Sequence, residues 1–246
     1  MNDKIYIHEF IRIRGRGRAK YMQHMTANWS PIAQQERRQK CFGVFGVVGS
    51  TGRWPEVVNL WEEEGWPGLA RNFAHETQHP GMQDPSLREW WKTAAEFREG
   101  GLDRILVPAP WSPTSDELVA AGTRGDFYAH ELVTLEPGRA EPFLDEVRAR
   151  GRAAYEALGL RLVGAFHTAM GDRSESLLLW AIPDHAHWAA FEAAEYAESE
   201  LAQWRAWCRN ETVGWQRILL VEAPTSTLHL GRQPAESDRR PLDEIA

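Results

Sequence analysis

The sequence predicts an α+β fold in which two ferredoxin-like β-α-β-β-α-β units in tandem pack their antiparallel sheets face to face as an α+β barrel. The first observation is a repeat: the segment Ile-Tyr-Ile-His-Glu-Phe at 5–10 returns as Phe-Tyr-Ala-His-Glu-Leu at 127–132. Tyr, His and Glu recur at a constant offset of 122 positions. The second observation is that the same order of predicted strands and helices follows each copy. A repeat of this length indicates a structural unit copied within one chain.

Shorter matches extend the repeat through both halves. They are Arg18-Ala19 with Arg139-Ala140, Gly43-Val44-Phe45 with Gly164-Ala165-Phe166, Leu60-Trp61 with Leu179-Trp180, and Arg104-Ile105-Leu106 with Arg217-Ile218-Leu219. The offset falls from 122 to 113 along the chain, as deletions in loops would produce. We therefore predict a first domain at 1–112, a linker at 113–125, a second domain at 126–224 and a polar, extended or mobile C-terminal tail at 225–246.

Hydrophobic periodicity defines the elements of the first half. Segment 5–13 alternates as a half-buried strand, with Ile5, Ile7, Ile11 and Ile13 on one face. Residues 18–40 have helical spacing, and Pro31 marks a kink or break in that helix. A loop containing His75 and His79 is predicted before the second helix. The remaining strands are predicted at 41–48, 56–62 and 102–107, and the second helix begins at the capping-box sequence Ser-Leu-Arg-Glu at 86–89.

The second half repeats this order. Strands are predicted near 127–135, 160–168, 176–182 and 214–221, and helices near 138–158 and 184–208. A ferredoxin-like unit covers one face of its sheet with helices and leaves the other face open. Two such units can bury these open faces against each other.

Alternation along the first strand also predicts which residues point into the barrel. Its aliphatic face should contact the helices, so the opposite face should point inward. The inward residues are then Tyr6, His8, Phe10, Arg12, Tyr128, His130 and Leu132. On the last strand of the first unit, Arg104 and Leu106 should point inward. By repetition, Arg217 and Leu219 should do the same in the second unit, which predicts a polar-lined cavity instead of a dry core.

Several of these segments resemble the NIPSNAP family of dimeric α+β barrel proteins. Phe127-Tyr128, Glu131 and the sequence Leu-Glu-Pro-Gly-Arg at 135–139 are similar to the family's Tyr-containing strand, Pro-Gly turn and basic residue. In the first half, 56–61 and 104–113 are similar to the family's third strand and domain end. The resemblance covers nearly all of residues 4–224, in two halves. It implies small proteins, often from bacterial metabolic or biosynthetic gene neighbourhoods, without one agreed chemistry.

This chain differs from the family pattern by fusing two copies and by carrying a histidine on each first strand. The simple homodimer that the family implies would here be a homodimer of the two-domain chain. The partner expected inside the barrel is a small molecule.

Composition excludes several classes of function. The net charge of −7 argues against nucleic acid as a partner. No apolar run approaches the ~20 residues of a membrane span, and the N-terminus lacks the apolar segment of a signal peptide, so a cytoplasmic protein is expected. Cys41 and Cys208 lie at non-matching places and indicate neither a disulfide nor a metal cluster. Because no phosphate-binding or dinucleotide glycine motif and no nucleophile elbow is present, we expect neither a nucleotide cofactor nor serine-hydrolase chemistry. Because the sequence lacks a Cys/His cluster, we also expect no metal.

The side chains expected inside the barrel favour acid–base catalysis. Imidazole has an ordinary pKa of about 6.5 and acts as an acid or a base near neutral pH. Tyr phenols donate hydrogen bonds to a carbonyl or oxyanion, and Arg holds a carboxylate or phosphate. The candidate catalytic residues are His8, Tyr6 and His130. The candidate substrate-binding residues are Arg12, Arg104, Tyr128, Arg217, Asn59 and the matched pair Trp61 and Trp180.

The first copy is expected to carry the reaction. Phe10 and Arg12 flank its histidine, where the second copy has Leu132 and Thr134. The alternating arginines at 12, 14, 16 and 18 form a positive rim that would attract an anionic substrate, although a solvated strand end explains them as well. The second copy would then serve as wall and scaffold.

We interpret the chain as a small-molecule enzyme that works without a nucleotide cofactor in an enclosed, aromatic and His-lined cavity. Isomerisation, cyclisation, dehydration and cofactor-independent oxygenation of an activated carbonyl compound all fit, and the substrate is anionic or aromatic. One alternative is a haem-linked α+β barrel enzyme with His8, His130 or His167 as the axial ligand. Another is a binding or interaction protein without catalysis, for which the interior would be filled and the histidines would have packing roles.

Overall fold

In the computed structural model, which describes residues 1–245, eight antiparallel strands form a closed barrel with helices on its outside. The strands are β1 (Ile5–Ile13), β2 (Lys40–Val47), β3 (Glu56–Glu63), β4 (Arg98–Pro108), β5 (Phe127–Thr134), β6 (Arg161–Thr168), β7 (Glu175–Ile182) and β8 (Gly214–Glu222). Their order around the barrel is β1-β3-β2-β8-β5-β7-β6-β4. The predicted α+β barrel class is confirmed.

The two halves share one strand order, β4-β1-β3-β2 in the first and β8-β5-β7-β6 in the second, which is the order of a ferredoxin-like unit. The register of the β1–β3 pair matches that of the β5–β7 pair as well, because His8 lies opposite Leu60 and His130 lies opposite Leu179. Short seams between β2 and β8 and between β4 and β6 join the halves. The domain boundaries drawn from the sequence remain predictions.

Helices cover the outer face of each half. They are α1 (Arg18–Gln23), α2 (Ser30–Arg37), α3 (Gly65–Thr77), α4 (Arg88–Phe97), α5 (Ser115–Ala120), α6 (Ala140–Glu146), α7 (Arg152–Glu156), α8 (His185–Ala194), α9 (Glu200–Glu211) and α10 (Thr227–Leu230). A π-helical turn, His24–Trp29, connects α1 to α2, and a second one, Val147–Gly151, connects α6 to α7. Pro31 is the second residue of α2, directly after the first π-helical turn, so the proline that predicts a kink or break lies where the helical hydrogen-bonding pattern changes.

One apolar core lies between the barrel and the helices of each half. In the first half Ile11 and Ile13 of β1 pack with Met22 and Met25, as the alternation of β1 predicts. In the second half the core is centred on Trp180, with Tyr155, Phe191 and Trp204 around it. These two cores hold the helices on the barrel.

A third apolar core fills most of the barrel interior. Its aromatic members are Tyr6, Phe42, Phe45, Tyr128 and Phe166. Leu118 of α5 and Leu228 of α10 belong to the same core and plug the end of the barrel at which β1 and β5 begin. The expectation of a polar cavity throughout the interior is therefore wrong, because apolar side chains fill most of it and the polar-lined pocket lies at the opposite end.

Two segments expected to be irregular contribute to the plug. In the predicted linker, the backbone N–H and the hydroxyl of Ser115 donate to Glu62 at 2.8 and 2.9 Å. In the predicted tail, the Gln233 amide donates to the Cys41 carbonyl at 3.0 Å. The expectation of an extended or mobile tail is wrong for the described residues, because a few apolar side chains are enough to hold a segment in place when they enter the end of a barrel.

The loop predicted around His75 is also wrong, since His75 lies in α3.

The matched glycines Gly43 and Gly164 explain part of the repeat. Each lies at a β-bulge, and a Cβ atom there would overlap the ring of the phenylalanine two residues later, Phe45 or Phe166. Both rings are fully buried in the barrel interior. Each glycine thus makes room for an aromatic ring at an equivalent place in its half.

We expect Gly43→Ala to lower the free energy of unfolding by about 1–3 kcal/mol, because the added methyl group overpacks a closed interior. Urea unfolding of the purified chain measures this loss. Gly171→Ala is the matched control, since its Cβ meets no atom within 4 Å, and it should change stability little. Equal stability of the two variants would contradict this account of the interior.

Candidate active site

The two repeated histidines meet inside the barrel. β1 and β5 lie on opposite sides, and their matched registers bring His8 Nε2 to 2.9 Å from His130 Nε2. The rings are stacked, with centroids 5.1 Å apart and planes inclined at 24°. Both side chains are buried. Both histidines therefore belong to one shared interior, and the expectation that the first copy carries the reaction stays a prediction.

The contact assigns the protons of the pair. Two neutral imidazoles carry two N–H groups, one in the Nε2–Nε2 bridge and one on Nδ1 of the ring that accepts the bridge. His8 Nδ1 has no hydrogen-bond partner. Since an orphaned buried N–H is rarer than an under-satisfied acceptor, we assign the bridging proton to His8 and an Nδ1–H to His130.

Burial keeps both rings neutral at pH 7. It lowers the pKa of His130 to about 3, and the neighbouring Arg104 acts in the same direction. It also lowers the pKa of His8 well below its ordinary value, with further contributions from His130 and Arg104. A low-dielectric surrounding disfavours the charged form of a base. Both imidazoles therefore remain neutral in the folded chain near neutral pH.

A pocket of about 450 Å³ opens at the end of the barrel opposite the plug. His130 lines it, whereas His8 lies behind His130. The apolar wall includes Phe10, Leu102, Leu132 and Ile218, and the charged residues are Arg12, Arg53, Arg104 and Glu56. Three arginines against one glutamate make the pocket positive in a chain of net charge −7.

Arg104 is the most firmly held of the three arginines. Its Nε donates to Glu175 Oε1 at 2.7 Å, and Thr168 Oγ1 donates to the same oxygen at 2.7 Å. Its guanidinium carbon lies 5.8 Å from the centroid of the Phe10 ring. One nitrogen, Nη1, is buried without a partner. Arg104 thus keeps an N–H donor unused beside the pocket that it lines.

The two predicted tyrosines lie at the plugged end. Tyr6 donates to Glu62 at 3.0 Å and accepts from Asn2 at 2.9 Å. Tyr128 donates to Glu222 at 2.8 Å. Burial raises the pKa of both phenols above the ordinary value. Their hydroxyls are engaged away from the pocket, so the structure gives them packing and hydrogen-bonding roles in the plug.

The inward orientation predicted for Arg217 and Leu219 is wrong. Arg104 lies opposite His8, but the residue opposite His130 is Ile218. The matching Arg-Ile-Leu sequences are therefore one residue out of structural register. A slip of one residue moves a side chain to the other face of a sheet.

Asn59, Trp61 and Trp180 also lie on the helix-facing side of the barrel. The Asn59 amide and the Trp61 indole donate to Glu9 at 2.9 and 2.7 Å. Trp180 donates to Glu131 at 3.2 Å. They do not join the histidine pocket, because alternation places them on the same face as these glutamates.

Sequence reasoning missed Arg53, Glu56 and Gln216 in the pocket lining. Arg53 follows the turn between β2 and β3 and belongs to no periodic pattern. Gln216 is inward because β8 has the shifted register described above. A correct alignment of β8 with β4 was the one signal that could have revealed Gln216.

The histidines do not fit an axial haem ligand. Each Nε2 atom is turned toward the other ring, and His8 Nδ1 is enclosed by protein. His167 neighbours the inward Phe166 on β6 and thus points to the helix side. In the assigned tautomer His130 Nδ1 carries a proton, so neither place presents a free imidazole lone pair to the pocket.

Within residues 1–245, no group of three or more His, Cys, Asp and Glu side chains is arranged to hold a metal ion. No helix in the same part of the chain has both the length and the apolar character needed to cross a bilayer.

Residues 132–226 match the model of the NIPSNAP family, so the chain carries a NIPSNAP domain in its second half. The resemblance is thereby confirmed for that half, and for the first half it remains a prediction. No curated protein matches the sequence of this chain.

Three solved structures have similar folds. An anthrone oxidase-like protein is 12% identical with a TM-score of 0.64, over 90% of this chain and 92% of its own. A candidate monooxygenase from Fusobacterium nucleatum subsp. nucleatum ATCC 25586 is 10% identical with a TM-score of 0.57, over 89% and 92% of the two chains. A candidate monooxygenase from Lactobacillus acidophilus NCFM is 9% identical with a TM-score of 0.57, over 90% and 95%. These similarities show a common α+β barrel fold.

The neutral histidine pair predicts a loss of stability in acid. Because the pKa of each ring is lower in the folded than in the unfolded chain, the unfolded chain binds more protons below about pH 6.5, and the free energy of unfolding falls as the pH falls from there toward about 3. Between pH 7 and pH 5, the wild type should lose on the order of 2–4 kcal/mol more than a double variant with His8→Asn and His130→Asn. Urea unfolding at both pH values measures the difference. Equal losses would show that the rings are not buried in neutral form.

Proposed function

We propose that this protein is an enzyme that transfers protons on a small anionic molecule bound in the open-end pocket, without a nucleotide cofactor. The observation that carries the proposal is the neutral His8–His130 pair at the inner end of a pocket lined by three arginines. A titratable pair of perturbed pKa in a concave site is a common feature of catalytic centres.

The charge and shape of the pocket support an anionic, partly aromatic substrate. Its volume of about 450 Å³ is in the range of small-molecule sites. Phe10 and Leu132 offer apolar surface for a flat ring, and Arg12, Arg53 and Arg104 are placed to hold a carboxylate or an enolate. The free Nη1 donor of Arg104 suits a developing oxyanion.

The histidine pair can serve as both acid and base. With the bridging proton on His8, the ring of His130 carries an N–H that can polarise a carbonyl group of the substrate or donate a proton to it. With the bridging proton on His130, the Nδ1 lone pair of His130 can accept a proton. These states are two tautomers of the neutral pair, so the tautomer present when the substrate binds decides whether His130 acts as the acid or as the base. His130 is the catalytic candidate, and His8 is a positioning residue behind it.

This assignment reverses the roles predicted from the sequence. The sequence favours a site built on Tyr6, His8, Arg12 and Arg104, with the second copy as scaffold. We retain Arg12 and Arg104 as substrate-binding residues and replace the catalytic pair Tyr6 and His8 by His130 supported by His8.

Isomerisation, cyclisation, dehydration and cofactor-independent oxygenation remain the reaction classes that fit. The structurally similar proteins include an anthrone oxidase-like protein and two candidate monooxygenases. An anthrone-type phenol is therefore the first substrate to test, with molecular oxygen as the oxidant. Oxygen consumption separates oxygenation from the other three classes, which consume none.

A second candidate function is ligand binding without chemistry. It is favoured by the apolar core that fills most of the interior. Under this alternative the pocket would bind its ligand, but replacing the histidines would change affinity alone.

We expect His130→Asn to reduce turnover by about 10²–10⁴, because Asn keeps a similar volume and hydrogen bonding but transfers no proton. His8→Asn should reduce turnover less and shift its pH dependence, since it removes the bridge and leaves the ring in the pocket. Steady-state turnover and thermal unfolding are measured on the same samples. Full activity of His130→Asn would refute the catalytic role, and a loss of stability with unchanged turnover would assign both rings to packing.

The positive pocket predicts a selective loss of affinity on neutralising its rim. Arg12→Gln and Arg53→Gln should each weaken binding of an anionic ligand by roughly 5- to 10-fold, with stability almost unchanged because both side chains are largely exposed. Arg14→Gln is the matched control, because Arg14 is exposed on the same strand end but lies outside the pocket. Titration calorimetry measures the dissociation constants of the anionic ligand. Equal effects of Arg12→Gln and Arg14→Gln would indicate long-range attraction only.

A further inference from the structure

A second cavity, of about 340 Å³, lies on the helix-facing side of the first half. It is separate from the histidine pocket, because the β1–β3–β4 sheet lies between them. Its lining includes Glu9, Asp103, Arg37 and the indoles of Trp61, Trp90 and Trp91. The proposed reaction uses none of these residues.

Two carboxylates face each other in this cavity. Glu9 of β1 and Asp103 of β4 are direct cross-strand partners, so their side chains lie on the same face of the sheet. Glu9 Oε2 accepts hydrogen bonds from Asn59 and Trp61. Among residues 1–245, no Lys or Arg nitrogen lies within 4 Å of either carboxylate. The nearby Arg98 places its guanidinium carbon 4.7 Å from the centroid of Trp91 instead.

The second half shows what normally occupies this position. Glu131 corresponds to Glu9, and its cross-strand partner is Arg217 where the first half has Asp103. Arg217 Nε donates to Glu131 Oε1 at 2.8 Å. Trp180, which matches Trp61, donates to the same glutamate. The two halves therefore build one arrangement, but the first half has a second acid in place of the arginine.

The missing cation has an energetic consequence. Burial raises the pKa of Glu9, and repulsion from Asp103 raises it further. Burial raises the pKa of Asp103 as well, and the Arg98 guanidinium opposes the rise at both carboxyl groups without lying within 4 Å of either. A carboxylate that is partly withdrawn from water, as Glu9 is, is stabilised when a cation pairs with it. A cation from outside the chain would supply in the first half what Arg217 supplies in the second.

The cavity walls suit such a cation. The rings of Trp90 and Trp91 are 4.8 Å apart and inclined at 84°, and Trp29 lies 4.8 Å from Trp90. Aromatic faces attract ammonium and guanidinium groups, and two of these rings already do so, because Arg37 lies 4.9 Å from the Trp29 centroid and Arg98 lies 4.7 Å from the Trp91 centroid.

The same cavity also holds unused donors. Arg37 is 4% exposed; its Nη1 pairs with Glu76 at 2.6 Å and donates to Asn72 at 2.9 Å, whereas its Nε has no partner. The indole N–H groups of Trp90 and Trp91 likewise lack acceptors. A ligand with oxygen acceptors beside its cation would pair these groups, since buried donors are normally hydrogen-bonded.

We propose that this cavity binds a zwitterionic organic molecule, whose guanidinium or ammonium group takes the place of the Arg217 guanidinium between Glu9 and Asp103 and whose carboxylate meets the donors of Arg37, Trp90 and Trp91. The chemical class is a basic or guanidino amino acid. The site does not depend on the reaction proposed for the histidine pocket.

L-arginine and agmatine are the probes, because agmatine has the same guanidinium group but no carboxylate. Titration calorimetry of the full chain should show saturable binding of both, with L-arginine the tighter by roughly 5-fold or more. Equal affinities would overturn the role given to the carboxylate. No binding of either probe at millimolar concentration would overturn the site.

Asp103→Arg tests the comparison between the halves directly. It should raise the melting temperature, because it supplies internally the guanidinium that the first half lacks, and should weaken L-arginine binding by at least about 10-fold. Glu96→Arg, on the exposed face of α4, makes the same change of charge outside the cavity. This variant should bind L-arginine with the affinity of the wild type. Asp103→Asn removes one carboxylate at an exposed position and should weaken binding without unfolding the chain. Wild-type affinity in both Asp103 variants would overturn the proposal.

Discussion

Closure of the barrel is the constraint on which the rest of this structure depends. The two seams are short, with β2 paired to β8 at three positions and β4 paired to β6 at three. They nevertheless set the two sheets face to face, so that equivalent strands approach each other across the interior. The His8–His130 contact, the apolar plug and the single open pocket all follow from that closure. Because the chain closes its own barrel, a homodimer of the whole chain remains a separate prediction.

The sequence predicted the fold because its repeat and its alternation report backbone topology directly. Alternation along β1 and β5 correctly placed Tyr6, His8, Tyr128 and His130 inside. It could not show that the tyrosines would be engaged by Glu62 and Glu222, since those partners come from other strands. It also misplaced Arg217, because a chance match of three residues concealed a shift of register. The plug could not be predicted either, because one leucine from each of two short helices carries no periodic signal.

The two halves have diverged most on the sheet face that the helices cover. The second half neutralises its central glutamate with Arg217, which also contacts Glu192 and Glu195. The first half surrounds the corresponding glutamate with amide and indole donors and leaves an aromatic cavity. Shared backbone geometry has thus been kept while the charge of one buried position was inverted. The exchange of Arg217 for Asp103 indicates that this position has different roles in the two halves, although the strand order of the halves is the same.

The different residues at matched strand positions have a genetic consequence. In a barrel assembled from two identical chains, a single codon change alters both halves at once, and a residue useful at one place must be tolerated at the other. In this fused chain, Arg12 stands where the second half has Thr134, and Phe10 stands where it has Leu132. Each half can therefore accumulate its own mutations. The two sides of the open pocket can therefore carry different side chains, which a barrel of two identical chains could not provide.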